Sequence, residues 1–185
     1  MTKTLKSKLM EESHINRTLI RLSHEIIETN PELDNVALVG ICTRGEFMAR
    51  RIHKLMEKIA GRKIPLGIVG VTFYRDDFRT NLGSPQVRST DIMFEVNDTN
   101  IILIDDVLYT GRTIRAAMDE LFTFGRPSSV KLCVLVDRGH REIPVKADYV
   151  GKNYPTSLNE HIHVHLKEVD GEDEVLLMEY NEESK

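Results

Sequence analysis

The chain of 185 residues is 41% hydrophobic and 29% charged, with a formal net charge of −4, which fits one soluble domain that buries its core without disulfides or metal. No apolar run reaches the length of a membrane span, and the start, MTKTLKSKLMEESH, lacks the apolar core of a signal peptide. The composition therefore predicts a cytoplasmic protein with no membrane partner, and its acidic balance gives no support to a nucleic-acid partner.

The first predicted element is a helix that begins at Ser13 as its N-cap and ends before the Asn30-Pro31 pair. A short apolar run over residues 36–42 then predicts a buried strand, which ends at Thr43-Arg44-Gly45. Residues 46–61 predict an amphipathic helix that Gly61 ends. The two cysteines, Cys42 and Cys133, each lie inside an apolar run and show no zinc-ligand spacing, which predicts buried thiols.

A second apolar run, residues 64–75, predicts another strand, and the polar residues 76–89 predict a long mobile loop with residues 91–96 as its returning strand. Residues 101–104 predict a strand that runs into Asp105-Asp106, and a helix follows the turn at residues 110–113. Four later segments are strand candidates: residues 130–136, 148–151, 161–167 and 175–180.

Strands that alternate with helices predict an α/β fold with a mostly parallel, twisted sheet flanked by helices. We expect one domain over residues 1–185, with an acidic C-terminal segment at residues 168–185 that holds eight of the 29 acidic residues. In such sheets, ligands bind beyond the carboxyl ends of the strands. Three polar clusters occupy that position: residues 43–45, 105–113 and 137–141.

The cluster at residues 105–113 combines two features that suit a ribose 5-phosphate. Asp105 and Asp106 can each accept a hydrogen bond from one of two neighbouring ribose hydroxyls. The helix that follows presents backbone N–H groups that favour an anion, with Gly111 allowing close approach of the backbone. A receiver-type acid cluster is the alternative for the aspartates, although receivers lack the Thr-Gly-Arg-Thr turn that follows here.

The other polar features are less specific when taken alone. Thr43-Arg44-Gly45 by itself is equally a structural turn between strand and helix, and Arg138 and Arg141 are equally solvated loop charges. The tract His161-Ile162-His163-Val164-His165 places three imidazoles on one strand face, where a solvent-facing arrangement is favoured over a metal site.

Residues 105–113, DDVLYTGRT, resemble the phosphoribosyl-pyrophosphate signature of the type I phosphoribosyltransferases. With YRDD at residues 74–77, GRPSSV at 125–130, LVDRGHRE at 135–142 and ADYVGKN at 147–153, the chain is similar to the PyrR family of bifunctional pyrimidine operon regulators and uracil phosphoribosyltransferases. The resemblance extends to about residue 155 and weakens in the acidic segment. It implies uracil phosphoribosyltransferase activity, the type I phosphoribosyltransferase fold and a homo-oligomer, whose size the sequence does not give.

The resemblance also implies roles for individual residues. Asp105, Asp106 and Arg44 would be catalytic, the aspartates by binding the ribose hydroxyls. Thr43 and Gly45 would bind the pyrophosphate, together with Arg44, in a turn of unusual backbone geometry. The 5′-phosphate would be bound by Tyr109, Thr110, Gly111, Arg112 and Thr113. Arg138 and Arg141 would lie near the base and the pyrophosphate. A mobile loop that begins with Tyr74, Arg75, Asp76, Asp77 and Arg79 would close over the active site.

Such a transfer passes through an oxocarbenium-like state with a highly charged leaving group. Mg²⁺ bound with phosphoribosyl pyrophosphate, together with Arg44, would offset that charge, and no metal site made by the protein alone is expected. Purine-specific relatives carry an aspartate, a candidate base, where this chain has Tyr109. Because a tyrosine hydroxyl, with an ordinary pKa of about 10, is a poor base at neutral pH, we expect little general-base catalysis and no purine substrate.

The family's second activity is binding of a pyrimidine operon leader mRNA, which promotes transcription attenuation in response to the uridine nucleotides UMP and UTP. Five residues match basic or polar positions of the RNA-binding face: Arg21, His24, Arg141, Lys146 and Lys152. However, Ile20 and Thr29 stand where family members with established RNA binding carry a threonine and an arginine. The alternative hypothesis is therefore a phosphoribosyltransferase of the PyrR type without effective RNA binding.

Overall fold

The structure is a computed structural model, and it describes residues 2–71 and 89–181. Its elements in chain order are β1 (Thr2–Glu11), α1 (Glu12–Thr29), β2 (Val36–Ile41), α2 (Arg44–Ala60), β3 (Leu66–Val69), β4 (Asn100–Leu108), α3 (Arg112–Leu121), β5 (Ser129–Asp137), β6 (Tyr149–Asn153), β7 (Glu160–His165), α4 (Lys167–Asp170) and β8 (Glu174–Asn181). A single 3₁₀ turn over Leu33–Asn35 leads into β2. The predicted loop residues Tyr74, Arg75, Asp76, Asp77 and Arg79 lie outside the described part of the chain.

The larger of two sheets has five strands in the order β3-β2-β4-β5-β6, all of whose pairings are parallel. Its inner strands are nearly continuous apolar runs because helices cover both faces. Alternate residues of β2 and β4 therefore enter two separate cores. Leu38 and Ile102 pack with α1 and α2, whereas Val39 and Leu103 pack with α3. The predicted mostly parallel α/β sheet is confirmed.

Helix α1 differs from its prediction at the start. Ser13 lies inside the first turn, because β1 runs directly into the helix, and Glu11 occupies the N-cap position without a side-chain cap bond. The predicted apolar stripe of Ile15, Leu19, Leu22 and Ile26 is buried as expected. The C-terminus of α2 agrees with its prediction, since Gly61 ends it in the left-handed conformation with φ of 66°.

The smaller sheet, called the small sheet below, is antiparallel and has the order β1-β8-β7. Its first strand was missed in the sequence, because residues 2–11 are polar and alternate only weakly. The acidic C-terminal segment supplies α4 and β8 within this unit and is therefore folded over its described residues. The predicted returning strand at residues 91–96 is wrong: only Asp91 forms a bridge, to Ile68 at the edge of the larger sheet.

Candidate active site

Asp105 and Asp106 lie near the carboxyl end of β4, where both are buried, with 5% and 7% of their surface exposed. The Asp105 carboxylate accepts a hydrogen bond from the backbone N–H of Asp106 at 3.0 Å. Burial of an ionised carboxylate is costly unless hydrogen-bond donors or cations lie next to it. Hydroxyl groups of a sugar and a bound cation are partners that such a pair can take.

The turn that follows β4 has the backbone of an anion site. Gly111 is the N-cap of α3 and has φ of 92°, a left-handed conformation that favours glycine. A Cβ atom at this position would also lie 3.3 Å from Cβ of Ile143, so the turn packs closely on the neighbouring loop. The Thr110 carbonyl accepts hydrogen bonds from the N–H groups of Glu142 and Ile143 at 3.0 Å each, which fixes the turn in front of the N-terminus of α3.

The turn after β2 lies directly against the aspartate strand. A Cβ atom at Gly45 would be 2.6 Å from the Ile104 carbonyl oxygen and 3.0 Å from Cα of Asp105, so only glycine allows this contact. Gly45 therefore lies next to the buried Asp105 carboxylate. The peptide bond between Cys42 and Thr43 is cis.

The Arg44 side chain points to the small sheet. Its Nε and Nη2 atoms donate to the Asp170 carboxylate at 3.1 and 2.7 Å, a two-point ion pair across the first turn of α2 and the end of α4. Sequence reasoning did not identify Asp170 as a site residue. The predicted role of Arg44 in offsetting leaving-group charge stays a prediction.

Arg138 is buried, with 3% of its surface exposed, and connects the small sheet to the turn over residues 109–113, which is called the phosphate turn below. Its Nη2 donates to the Glu160 carbonyl at 2.5 Å and its Nε to the Thr156 hydroxyl at 3.1 Å. The guanidinium carbon lies 3.9 Å from the centroid of the Tyr109 ring. Neither residue carried a signal in the sequence, because Thr156 contributes a single hydroxyl and Glu160 only its backbone carbonyl.

Arg141 stabilises the loop that follows β5 through bonds within that loop and to the turn after β4. Its guanidinium donates to the carbonyls of Val145, Tyr109 and Gly139 at 3.2, 2.8 and 3.1 Å, and it forms an ion pair with Asp137. The structure thus brings the three predicted polar clusters together at one edge of the larger sheet. Arg141 itself is half-buried in this loop, and its predicted roles in substrate binding and in RNA binding stay predictions.

The remaining predicted RNA-binding residues are exposed, and three of them lie around α1 and the edge strand β6. Arg21 donates to the carbonyls of Val150 and Gly151 at 2.9 and 2.7 Å, and thereby satisfies backbone acceptors of an edge strand. His24 is one turn further along α1, and Lys152 lies in β6. Lys146 precedes β6 and is also exposed.

Thr29, at the end of α1, is exposed, but its hydroxyl has partners within the fold. Its hydroxyl is 2.7 Å from the hydroxyl of Tyr149 and donates to the Glu25 carbonyl at 2.8 Å. The position at which RNA-binding family members are expected to carry an arginine is thus occupied by a short side chain with internal partners.

The three histidines of β7 are half-buried on one face of the small sheet, and a solvent-facing arrangement describes them only in part. The His163 ring stacks on Tyr180, and burial lowers the pKa of His163 to about 4. Among the described residues, His165, Glu172 and Glu174 lie close enough to hold a metal ion. However, the Lys8 ammonium group already pairs with Glu174 at 2.5 Å.

Within residues 2–71 and 89–181, no helix combines the length and apolar character that crossing a bilayer requires.

Comparison with known proteins agrees with this geometry. Residues 7–169 match the phosphoribosyl transferase domain family. The bifunctional protein PyrR of Clostridioides difficile is 53% identical over 94% of this chain and 98% of its own length. That of Caldicellulosiruptor bescii is 49% identical over 95% and 97%.

Solved structures give the same fold at low identity. The hypoxanthine phosphoribosyltransferase of Trypanosoma cruzi superposes with a TM-score of 0.71 at 16% identity, over 96% of this chain and 98% of its own. A hypoxanthine-guanine phosphoribosyltransferase of Bacillus anthracis gives a TM-score of 0.66 at 20% identity, over 86% and 88% of the two chains.

Proposed function

We propose, from the premise that this chain belongs to the PyrR family of phosphoribosyltransferases, that it transfers ribose 5-phosphate from phosphoribosyl pyrophosphate to uracil and releases pyrophosphate. One observation carries the proposal: the buried Asp105-Asp106 pair lies between the Gly45 turn and the N-terminus of α3. This order of groups matches the order of pyrophosphate, ribose hydroxyls and 5′-phosphate on one substrate.

In this reaction, the bond between C1′ of the ribose and the pyrophosphate oxygen breaks, and a bond from C1′ to N1 of uracil forms. Asp105 and Asp106 accept hydrogen bonds from the 2′- and 3′-hydroxyls and keep negative charge near the electron-poor ribose of the transition state. The amides of Thr110 to Thr113 bind the 5′-phosphate at the positive end of α3. The proton that leaves uracil N1 passes to water or to the departing pyrophosphate, because the hydroxyl of Tyr109 is a poor base at neutral pH.

The site suits Mg²⁺ bound together with phosphoribosyl pyrophosphate. Asp105 and Asp106 are carboxylate donors of the kind that magnesium prefers, and their burial favours a cation that arrives with its own phosphate ligands. Such an ion would lower the negative charge of the leaving pyrophosphate.

A second activity rests on the basic residues around α1 and β6. We infer that the chain also binds a pyrimidine operon leader mRNA and promotes transcription attenuation, with UMP and UTP as effectors at the active site. Exposed His24, Lys146 and Lys152 favour this activity. The alternative, a phosphoribosyltransferase without effective RNA binding, is favoured by Ile20 and Thr29, which stand where family members with established RNA binding carry a threonine and an arginine. The Thr29 hydroxyl also has internal partners.

The decisive experiment is a substrate comparison on the purified full chain. Uracil, hypoxanthine and guanine are each supplied with phosphoribosyl pyrophosphate and Mg²⁺, and nucleoside monophosphate and pyrophosphate are both quantified. We expect UMP in a 1:1 ratio with pyrophosphate, and at least about a hundredfold lower rates with the purines, a difference of about 2.7 kcal/mol. Comparable rates with a purine, or no UMP, would contradict the proposal.

A further inference from the structure

Helix α2 carries two arginines that both pair with the acidic segment around α4. Arg44 binds Asp170, and Arg51 binds Glu168 and Asp173 at 2.6 Å each. The two arginines are seven residues apart, or about two helical turns, and so share one face of α2. The acidic segment thus lies along α2, and it contacts the helix at two points that differ in their distance from the active site.

The pair at Arg44 lies at residues 43–45, which are called the pyrophosphate turn below. Arg44 is the first residue of α2 and directly precedes Gly45, whose backbone contacts Asp105. Asp170 Oδ2 also accepts the N–H of Leu166 at 2.8 Å, and Leu166 is fully buried in the core beneath the small sheet. That core is therefore linked through Asp170 and Arg44 to Gly45, whose backbone lies close to Asp105.

The geometry of the ion pair limits what Arg44 does alone. Both Nε and Nη2 donate to Asp170, so this edge of the guanidinium is occupied by the carboxylate. Burial disfavours the Asp170 carboxylate, but the bonds from Arg44 and Leu166 outweigh it and hold the pKa of Asp170 below its usual range. The carboxylate is therefore charged at neutral pH and offsets most of the arginine charge.

We propose that Asp170 is a positioning residue for the pyrophosphate turn: through Arg44 it fixes the backbone of residues 43–45 so that their amides bind the pyrophosphate half of phosphoribosyl pyrophosphate. This inference rests on the proposed function, because it concerns the same substrate. It assigns Arg44 an indirect role, in which the arginine orders the turn. A turn that is ordered before the ligand arrives loses less conformational entropy on binding.

The pair between Arg51 and Asp173 is the matched control. Asp173 is more buried than Asp170, with 4% against 18% of its side chain exposed, and it also accepts the Lys167 N–H at 2.7 Å. It connects the same helix to the same segment, but two turns away from the pyrophosphate turn. A purely structural role for both pairs therefore predicts that Asp173→Asn is at least as harmful as Asp170→Asn.

The experiment compares the binding of two ligands by calorimetry on the full chain. Phosphoribosyl pyrophosphate with Mg²⁺ uses the pyrophosphate turn, whereas UMP uses only the ribose, phosphate and base subsites. We expect Asp170→Asn to weaken phosphoribosyl pyrophosphate about fivefold or more and to leave UMP within about twofold. Asp173→Asn should lower the melting temperature and change neither affinity beyond about twofold.

Each other outcome has a definite meaning. If wild type binds neither ligand, the proposed function fails. If wild type binds both and Asp170→Asn binds phosphoribosyl pyrophosphate as wild type does, the positioning role is wrong. Tighter binding by Asp170→Asn would also overturn it, because Asp170 would then compete with the pyrophosphate for Arg44.

A double-mutant cycle separates direct from indirect action of Arg44. If Arg44 acts through Asp170, then Arg44→Met and the double variant Arg44→Met/Asp170→Asn weaken phosphoribosyl pyrophosphate by the same factor as Asp170→Asn. A direct contact predicts a larger loss in both variants that lack the arginine, and that result would overturn the proposal. The cycle also supplies a second test of the pair if Asp170→Asn does not fold.

Discussion

The guanidinium group of Arg138 lies against the ring of Tyr109, 3.9 Å from guanidinium carbon to ring centroid. Arg138 is held there by the Glu160 carbonyl and the Thr156 hydroxyl of the segment that leads into the small sheet. A buried cation on an aromatic face is a favourable contact, about 2 kcal/mol when both groups are desolvated. The ring of Tyr109, more than its hydroxyl, therefore positions the phosphate turn relative to the small sheet.

Substitution of Tyr109 tests this division between ring and hydroxyl. Tyr109→Phe keeps the ring, so we expect the pH profile of kcat/KM for uracil transfer to keep both limbs and the maximum to change less than about threefold. Tyr109→Ala removes the ring and should lower kcat/KM at least about tenfold. Loss of one limb of the profile in the phenylalanine variant would show that the hydroxyl acts as an acid or base.

The aspartate pair gives the second prediction. Asp105→Asn or Asp106→Asn should lower uracil phosphoribosyltransferase activity at least about tenfold, which corresponds to about 1.4 kcal/mol or more lost at the transition state. Asp119→Asn is the matched control, because Asp119 is exposed on α3 and forms only a weak pair with Arg115. The folded state of each variant is checked by its melting temperature. Wild-type turnover by both active-site variants would remove the ribose assignment.

Much of the fold could be predicted from the sequence because buried parallel strands leave a strong apolar signal. The runs that contain β2, β4 and β5 were each recognised within a few residues of their bounds. β1 was missed for the opposite reason: residues 2–11 are polar, and the strand forms because β8 supplies its hydrogen bonds. A pairing between the two ends of a chain has no local signature.

The site was predictable where backbone geometry needs a particular residue and less so where side chains meet across the fold. Gly45 and Gly111 are fixed by close approach and by a left-handed conformation, and both lie in motifs. Asp170 lies in an acidic run that resembles a solvated tail, and only folding brings it to Arg44. Arg141 fits two roles in the sequence, and both stay predictions, although its side chain donates to the carbonyls of Tyr109 and Gly139.

The third prediction concerns acid stability. Burial, followed by the charges of Lys3, His161, His165 and Arg44, lowers the pKa of His163 to about 4 in the folded protein, from an ordinary value near 6.5. The unfolded chain then binds the proton more readily, so this contribution to stability is present above about pH 6.5 and is lost as the pH falls towards about 4. The Tyr180 hydroxyl, 3.1 Å from Nε2 of His163, faces the same ring.

We therefore expect the melting temperature of wild type to fall between pH 7 and pH 4.5, and His163→Gln to show a smaller fall over this interval. His14→Gln on the exposed side of α1 serves as the control and should follow the wild-type curve. Thermal unfolding at a series of pH values measures the difference. Parallel curves for His163→Gln and wild type would mean that His163 is not a buried neutral group.

The last prediction separates RNA binding from catalysis. Lys146 and Lys152 are exposed and lie outside the active-site clusters, so Lys146→Ala and Lys152→Ala should each weaken binding to a pyrimidine operon leader RNA. Each should make the slope of log K against log salt shallower by up to about one unit, as loss of one phosphate contact implies. Neither should change uracil transfer beyond about twofold, or roughly 0.4 kcal/mol. Lys58→Ala, on the exposed face of α2, is the control for general loss of positive charge.

Arg21→Ala should behave differently from the lysine variants because Arg21 also holds the carbonyls of Val150 and Gly151. We expect it to weaken RNA binding and to lower the melting temperature as well, whereas the lysine variants should melt as wild type does.

UMP should tighten RNA binding by wild type if the active site is the sensor, since a ligand shifts a protein only towards the state it prefers. Salt titrations and steady-state kinetics on the same preparations decide the question. If wild type binds the leader no better than an unrelated hairpin at moderate salt, the chain is a phosphoribosyltransferase without the regulator's RNA-binding activity.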